Sequence, residues 1–432
     1  MRVFSVKGGV RLPGRKQRSQ HQAITSLPTP ERLFIPLKQH IGSPAEPVVR
    51  VGEQVSKGQL IARAQGPMSA PLHAPTSGKV LAIGDLQAPH PSGLDMATIT
   101  LAADGEERWA EVIPPIDPLS LDADALAERI AAAGIVGMGG ATFPAAVKLR
   151  LRARHSIRVL IINGAECEPY LTCDDRLMQE RADAIVDGVR VMLRALEPPG
   201  GDQQIGAYIA IERNKQAALM AMTAAASPYP ELATVGVPTR YPMGSEKHLV
   251  RALSGREVPA RALAAEIGVL VHNVGTAYAV HRALRFGRPL ISRVVTVSGE
   301  AVQNPQNLEV LIGTPVSALL RACGGLLPGP MRLVMGGPMM GGMLPHEEVP
   351  VVKGTTGILA LSAQEATPSS PMPCVRCGTC VTVCPCGLMP VEMVARIRAG
   401  QLEAALRVTV HGLYSGLAAR VLAERCRNRS PC

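Results

Sequence analysis

Five of the ten cysteines fall within thirteen residues, at Cys374, Cys377, Cys380, Cys384 and Cys386. Crowding of this kind reads as metal binding rather than a disulfide framework in a chain kept from an oxidising compartment. The segment PCVRCGTCVTVCPCG contains C-x2-C-x2-C-x3-C-P, the spacing of bacterial ferredoxin-type [4Fe-4S] sites. Two intervening residues let successive thiolates wrap a cuboidal cluster, with Gly378 easing the turn and Pro385 leading the chain away. Zinc is the lesser alternative, since its sites usually use separated pairs. Cys374, Cys377, Cys380 and Cys384 are the expected ligands. No second complete motif follows; only Cys426 and Cys432 remain, in an Arg-rich tail that predicts a truncation or reading-frame shift near His411–Ser415.

The opening MRVFSVKGGVRLPGRK has no apolar stretch of signal-peptide length, and no run approaches the ~18 apolar residues that cross a bilayer. The expectation is a soluble chain, in the cytosol or on the cytosolic side of a membrane. The net charge of +10 points to an anionic partner. Nucleic acid is disfavoured, because one Trp, six Tyr and four Phe leave few stacking platforms. The basic residues gather at the ends: Arg2, Lys7, Arg11, Arg15, Lys16 and Arg18 all precede the first acid, Glu31. They read either as solvated arms or as docking sites for an acidic partner or anionic lipid.

The chain reads as a multidomain α/β protein. Residues 1–30 form a basic, extended or flexible extension, and 31–115 a small β domain of apolar runs broken by Gly and Pro. VVRVGEQVSKGQLIARAQG and LHAPTSGKVLAIGD resemble a barrel-sandwich of the lipoyl and biotinyl type. No lysine lies between Gln59 and Gly78, so a swinging-arm role is excluded and a structural or docking role expected. Residues 116–290 alternate strand-like IRVLII, IGAYIAI and IGVLVHN with helical stretches, one of which places Ile185, Val189, Met192, Leu193 and Leu196 on one face. This pattern predicts a doubly wound parallel sheet. Residues 291–350 resemble the soluble-ligand-binding β-grasp (SLBB) module, 351–373 read as a linker, and 374–432 as a helical, ferredoxin-like, apparently truncated [4Fe-4S] domain.

GIVGMGGATFPAAVKL is a glycine-rich loop entering a helix, in which Gly137, Gly139 and Gly140 allow backbone N–H groups to approach a phosphate, with Lys148 following. It matches neither the dinucleotide fingerprint nor a P-loop, and a tight interhelical turn is the plainer alternative. The strand end NGAECEPYLTCDDR sets Asn163, Glu166 and Glu168 where a doubly wound sheet binds ligands. Asp174, Asp175 and Arg176 read equally as a surface ion-pair cluster, and Cys167 and Cys173 as core thiols. YPMGSEKHLV supplies Gly244 and Glu246 at a helix start, with His248 expected to be a partly exposed helical histidine. VHNVGTAYAV ends a strand at Asn273, and the Met pair of MGGPMMGGM reads as packing.

These segments, in this order and with the cysteine motif, resemble the C-subunit family of the Rnf ion-translocating ferredoxin:NAD oxidoreductase complex, over residues 1–415. The middle also resembles the NADH-oxidising flavoprotein subunit of respiratory complex I, although Ala165 stands where that pattern has an acid. The resemblance implies non-covalent FMN, an NAD(H) site beside it and usually two [4Fe-4S] clusters. It implies that Gly137, Gly139, Gly140 and Lys148 hold the FMN phosphate and ribityl chain. Asn163, Glu166, Glu168 and Asn273 would line the flavin, with Gly244 and Glu246 near the flavin or the incoming nucleotide. The implied function is an NADH-linked iron–sulfur flavoprotein of the translocase class, active within a complex. It would exchange hydride between NAD(H) and FMN and single electrons with the cluster, peripheral on the cytoplasmic face of a bacterial inner membrane. Partners would be the membrane subunits and ferredoxin or a ferredoxin-like subunit. The alternative is a non-catalytic iron–sulfur adaptor of the same complex.

Overall fold

The computed structural model describes residues 3–408 apart from 88, 90, 91, 112–116, 199–204, 330 and 367–372. The Arg-rich tail with Cys426 and Cys432, and most of the expected linker ATPSSPMP, lie outside the described residues.

Short strands with one apolar face build the first unit. In Arg32–Pro36, Leu33 and Ile35 are buried while Arg32 is exposed, the period-2 alternation of a sheet with one wet face. That strand pairs antiparallel with Asp95–Ala103, which pairs antiparallel with Gly78–Gln87. A three-stranded sheet of Glu46–Pro47, Leu60–Arg63 and Leu72–His73 packs through the same core, closing a sandwich.

The central unit is a four-stranded, wholly parallel sheet in the order Leu232–Val237, Gly206–Glu212, Val159–Gly164, Val269–Asn273. Its strands are apolar on both faces because helices cover both. Leu160 and Ile162 pack with the helices Ala182–Leu196 and Val274–Phe286, whereas Ile161 joins Leu249 and Val250 of the helix Glu246–Ser254. Ile185, Val189, Met192, Leu193 and Leu196 are all buried, as their spacing predicts. The strand Val159–Gly164 lies between the next strand in sequence and the last one, so the strand order reverses beside it. At such a switch point a crevice opens outside the carboxyl ends of the strands.

A six-stranded mixed sheet follows, with Ser292–Ser298 antiparallel to Gln306–Leu311 and the helix Val316–Ala322 after them, matching the strand–turn–strand–helix expectation. Two differences appear here. The strand Gly357–Ser362 pairs with both Ser292–Ser298 and Met331–Met335, so residues expected to be linker belong to this sheet. Thr25–Ser26 pairs parallel with Gln306–Leu311, tying the N-terminal extension down.

Lys16 and Arg18 do not belong to a solvated arm, whereas Lys7 and Arg11 are exposed. Lys16 and Ser19 are buried, and Arg18 donates to the carbonyls of Gly299, Val302 and Gln303. A charge run shows only that cations are present; carbonyls and carboxylates 150 residues and more away decide which of them are held. The cysteine segment carries the short helices Thr379–Thr382, Pro390–Arg398 and Leu402–Val408. Among the described residues no helix is long and apolar enough to cross a membrane.

Candidate functional site

At the switch point Asn163 and Asn273 are register partners on adjacent parallel strands. The Asn163 side chain accepts the N–H of Ala165 at 2.9 Å and donates to the Gly244 carbonyl at 2.8 Å. Asn273 caps its helix by accepting the Gly275 N–H, and its Nδ2 donates to Asp174 at 2.7 Å. Two amides thus fix the strand ends and the loop that starts the helix Glu246–Ser254. Gly244 is required by the close approach: a Cβ there would meet the Ala165 carbonyl oxygen at 2.4 Å.

The glycine loop leans on this frame. It follows the helix Ala123–Ala132, and the Met138 N–H donates to Thr276 Oγ1 at 2.9 Å. Gly139 packs against Asn273 at van der Waals distance. Gly140, at φ +108°, has nothing within 4 Å of where a Cβ would sit. The loop enters the helix Ala145–Arg150, whose Lys148 donates to Glu246 at 2.7 Å and to the Val271 carbonyl at 3.0 Å. Lys148 therefore joins the loop, the last strand and the Glu246 helix. An ammonium has three donors, so one remains for a ligand oxygen.

Glu168 faces the loop after Met331–Met335. Its Oε2 accepts the Met339 N–H at 2.9 Å, and Oε1 is buried without a partner. Burial pushes its carboxyl above the usual range, opposed by the Met339 hydrogen bond. Met340 is exposed, so of the Met pair only Met339 is partly buried, and it is the loop's backbone that meets Glu168.

Glu166 sits in a buried ion network. Its Oε2 lies 3.1 Å from Lys215 Nζ and 3.6 Å from Lys16 Nζ, and its Oε1 accepts the Asp174 N–H at 2.9 Å. Burial raises its pKa, and the ammonium groups of Lys215 and Lys16 outweigh that and leave it below the usual range. Asp174 and Asp175 are not a surface cluster. Asp174 is half-buried and Asp175 buried, and desolvation followed by the Glu166 charge pushes the Asp174 carboxyl up to about 7. His248 is likewise buried, with Nδ1 unpartnered, rather than partly exposed. Cys167 and Cys173 are thiols of the interior, and burial pushes the Cys167 thiol up to about 12.

Lys16 and Lys215 are not legible in the sequence as site residues, since their partner lies 150 and 49 residues away. Lys353 escapes sequence reasoning too, although a lone cation in PVVKGTTG is a signal. It is 1% exposed and donates to the carbonyls of Pro71 and Gly134, pinning the glycine loop to the sandwich.

The site fits FMN in its donor chemistry. It offers an open glycine cradle, a cation with a spare donor, and an orphaned buried carboxylate oxygen that can accept from a hydroxyl. The cysteine segment offers the donor type of an iron–sulfur cluster. Gly378 takes φ +75°, and Cys374, Cys377 and Cys380 are exposed. Among the described residues no three acidic, histidine or cysteine side chains are gathered tightly enough to hold a metal.

Comparison with known proteins agrees with this architecture. The RnfC barrel sandwich hybrid domain matches residues 4–106, the Nuo51 FMN-binding domain 130–282 and the SLBB domain 294–341. Over 410 residues the chain is 54% identical to the C subunit of the ion-translocating oxidoreductase complex of Rhodobacter capsulatus, covering 94% of this chain and 78% of that one. The chain belongs to the C-subunit family of ion-translocating oxidoreductase complexes. Another family member, the C subunit of the proton-translocating ferredoxin:NAD(+) oxidoreductase complex of Clostridium ljungdahlii, is 42% identical over 89% of this chain and 83% of its own. The Pseudomonas aeruginosa member is 48% identical over 90% of this chain, which spans half of that longer protein. The sandwich, FMN-binding and SLBB domains expected of this family are all present.

Proposed function

We propose that this chain is the electron-transfer subunit of a membrane-associated, ion-translocating ferredoxin:NAD oxidoreductase, joining NAD(H), FMN and a [4Fe-4S] cluster. When bound, FMN supplies two-electron exchange with NAD(H) and one-electron exchange with iron–sulfur centres. The protein's part is binding, orientation and electrostatics.

Gly137, Gly139 and Gly140 would present backbone N–H groups to the FMN phosphate, and Lys148 its third donor. Glu246 holds Lys148 in place by a 2.7 Å ion pair, so the cation is oriented before a ligand arrives. Asn163, Gly244 and Asn273 form the rigid edge against which a flavin would lie. Glu168 would accept from a ribityl or ribose hydroxyl through its unpartnered Oε1. Glu166 lies beneath this layer, and we assign it a positioning role through Lys16, Lys215 and the Asp174 backbone. Cys374, Cys377, Cys380 and Cys384 would hold the cluster as thiolates.

The reading extends to a translocase that works within its complex, peripheral on the cytoplasmic face, with membrane subunits and ferredoxin or a ferredoxin-like protein as partners. The observation that carries it is the meeting of Asn163, Asn273 and the glycine loop at the switch point, bordered by the Lys148–Glu246 pair. Titration of the purified chain with FMN, followed by quenching of flavin fluorescence, tests it. Saturation at one FMN per chain is expected. No quenching would leave the adaptor reading in its place.

A further inference from the structure

The N-terminal segment touches both halves of this arrangement. Towards the flavin-binding sheet, Phe4 donates to the Ala252 carbonyl, and Val10 and Tyr241 exchange both backbone hydrogen bonds at 2.9 and 2.8 Å. Arg240 clamps it by donating to the carbonyls of Val6 and Gly8 at 3.2 and 2.7 Å. Gly14 accepts the Tyr170 N–H, and Lys16 reaches the Glu166 carbonyl at 2.8 Å. Towards the cysteine segment, the Gly9 N–H donates to the Val383 carbonyl at 2.8 Å. Gly8, at φ +71°, lies so close that a Cβ would sit 2.8 Å from the Cys384 carbonyl carbon and from the Pro385 nitrogen. The positive φ strains any residue with a side chain there, and the backbone contact would force the strap or the turn to shift.

The cysteine segment needs such support. Its helices run 4, 9 and 7 residues, too short to be stable without tertiary contacts. Val383 and Cys384 belong to the turn that ends the cysteine motif.

We propose that residues 3–16 are a strap that fixes the cysteine segment against the flavin-binding sheet, with the Gly8–Gly9 pair as its contact and Arg240 as its clamp. Its consequence for electron exchange rests on the functional reading above. The strap itself does not.

Hydrogen exchange on the full chain tests the strap directly. Gly8→Val adds bulk against Cys384 and Pro385, and Arg240→Ala releases the strap without adding bulk. In both variants the amides of residues 379–384 should exchange at least about tenfold faster, with those of Val159–Gly164 and Gly206–Glu212 unchanged. Wild-type protection of 379–384 in both variants would overturn the proposal. Should Gly8→Val unfold the whole chain, Arg240→Ala decides alone. In chain loaded with FMN, iron and sulfide, NADH should bleach the flavin of both variants at the wild-type rate while the loss of cluster absorbance slows. A wild-type chain that takes up neither FMN nor iron would defeat the functional reading and leave the exchange result to judge the strap.

Discussion

The side-chain nitrogen of Asn273 lies 2.7 Å from a carboxylate oxygen of Asp174, a half-buried acid at the end of the parallel sheet. The same amide reaches the Asn163 carbonyl at 3.3 Å, so one side chain joins two strand ends to the helix that carries Asp174.

Asp174 is raised to about 7 by burial and by the Glu166 charge. Between the ordinary carboxylate range and pH 7 the folded chain then binds a proton that the unfolded chain has lost. This contribution to stability is present at low pH and is lost as pH rises through about 7. Asp174→Asn keeps the acceptor for Asn273 and abolishes the titration. Urea midpoints at pH 5 and pH 8 should show the variant gaining on wild type at the higher pH; an unchanged difference would contradict this.

Lys215 shares Glu166 with Lys16, and all three are buried. Removing one partner from such a network leaves a carboxylate under-compensated, at a cost of about 3–5 kcal/mol. Lys215→Met should lower the denaturant midpoint accordingly. A midpoint within error of wild type would show that Lys16 alone satisfies Glu166.

Lys148→Met removes the cation that we assign to the FMN phosphate. Hydrogen bonds to charged groups contribute about 1.5–3 kcal/mol, so FMN affinity should fall by roughly ten- to a hundredfold. Fluorescence titration of the variant measures it. Equal affinity would move the phosphate site elsewhere.

Lys353 is enclosed by the carbonyls of Pro71 and Gly134, and burial lowers its pKa to about 7. The unfolded chain holds the proton up to the ordinary lysine range, so this lysine makes the fold more stable as pH rises above 7 and loses that contribution as pH falls through it. Wild type should rise in melting temperature between pH 7 and pH 9, and Lys353→Met should flatten that rise. A parallel rise in both proteins would refute the assignment.

The parts of the fold that depend on local pattern are legible in the sequence: the parallel strands, the helix through Ile185–Leu196, the glycine loop and the β-grasp order. The strand ends at Asn163 and Asn273 are legible too, but the strand order that makes a switch point beside them comes from the folded sheet. Pairing across long separations does not follow. Lys16 looks like part of a solvated charge run, and only the folded chain brings it to the carbonyls of Glu166 and Leu171 and the Glu166 carboxylate. Asp175 and His248 sit in polar local sequence, so nothing nearby marks them as buried. Lys148 is expected to meet a phosphate; its ion pair with Glu246, 98 residues on, needs the folded chain.

The central claim is that this chain binds FMN where NADH can reduce it. Reconstitution with FMN and anaerobic titration with NADH, recording flavin absorbance and NAD+ formed, tests it most directly. The account predicts loss of the flavin band at one NADH per bound FMN. FMN that stays oxidised under excess NADH, or that fails to bind, would contradict it.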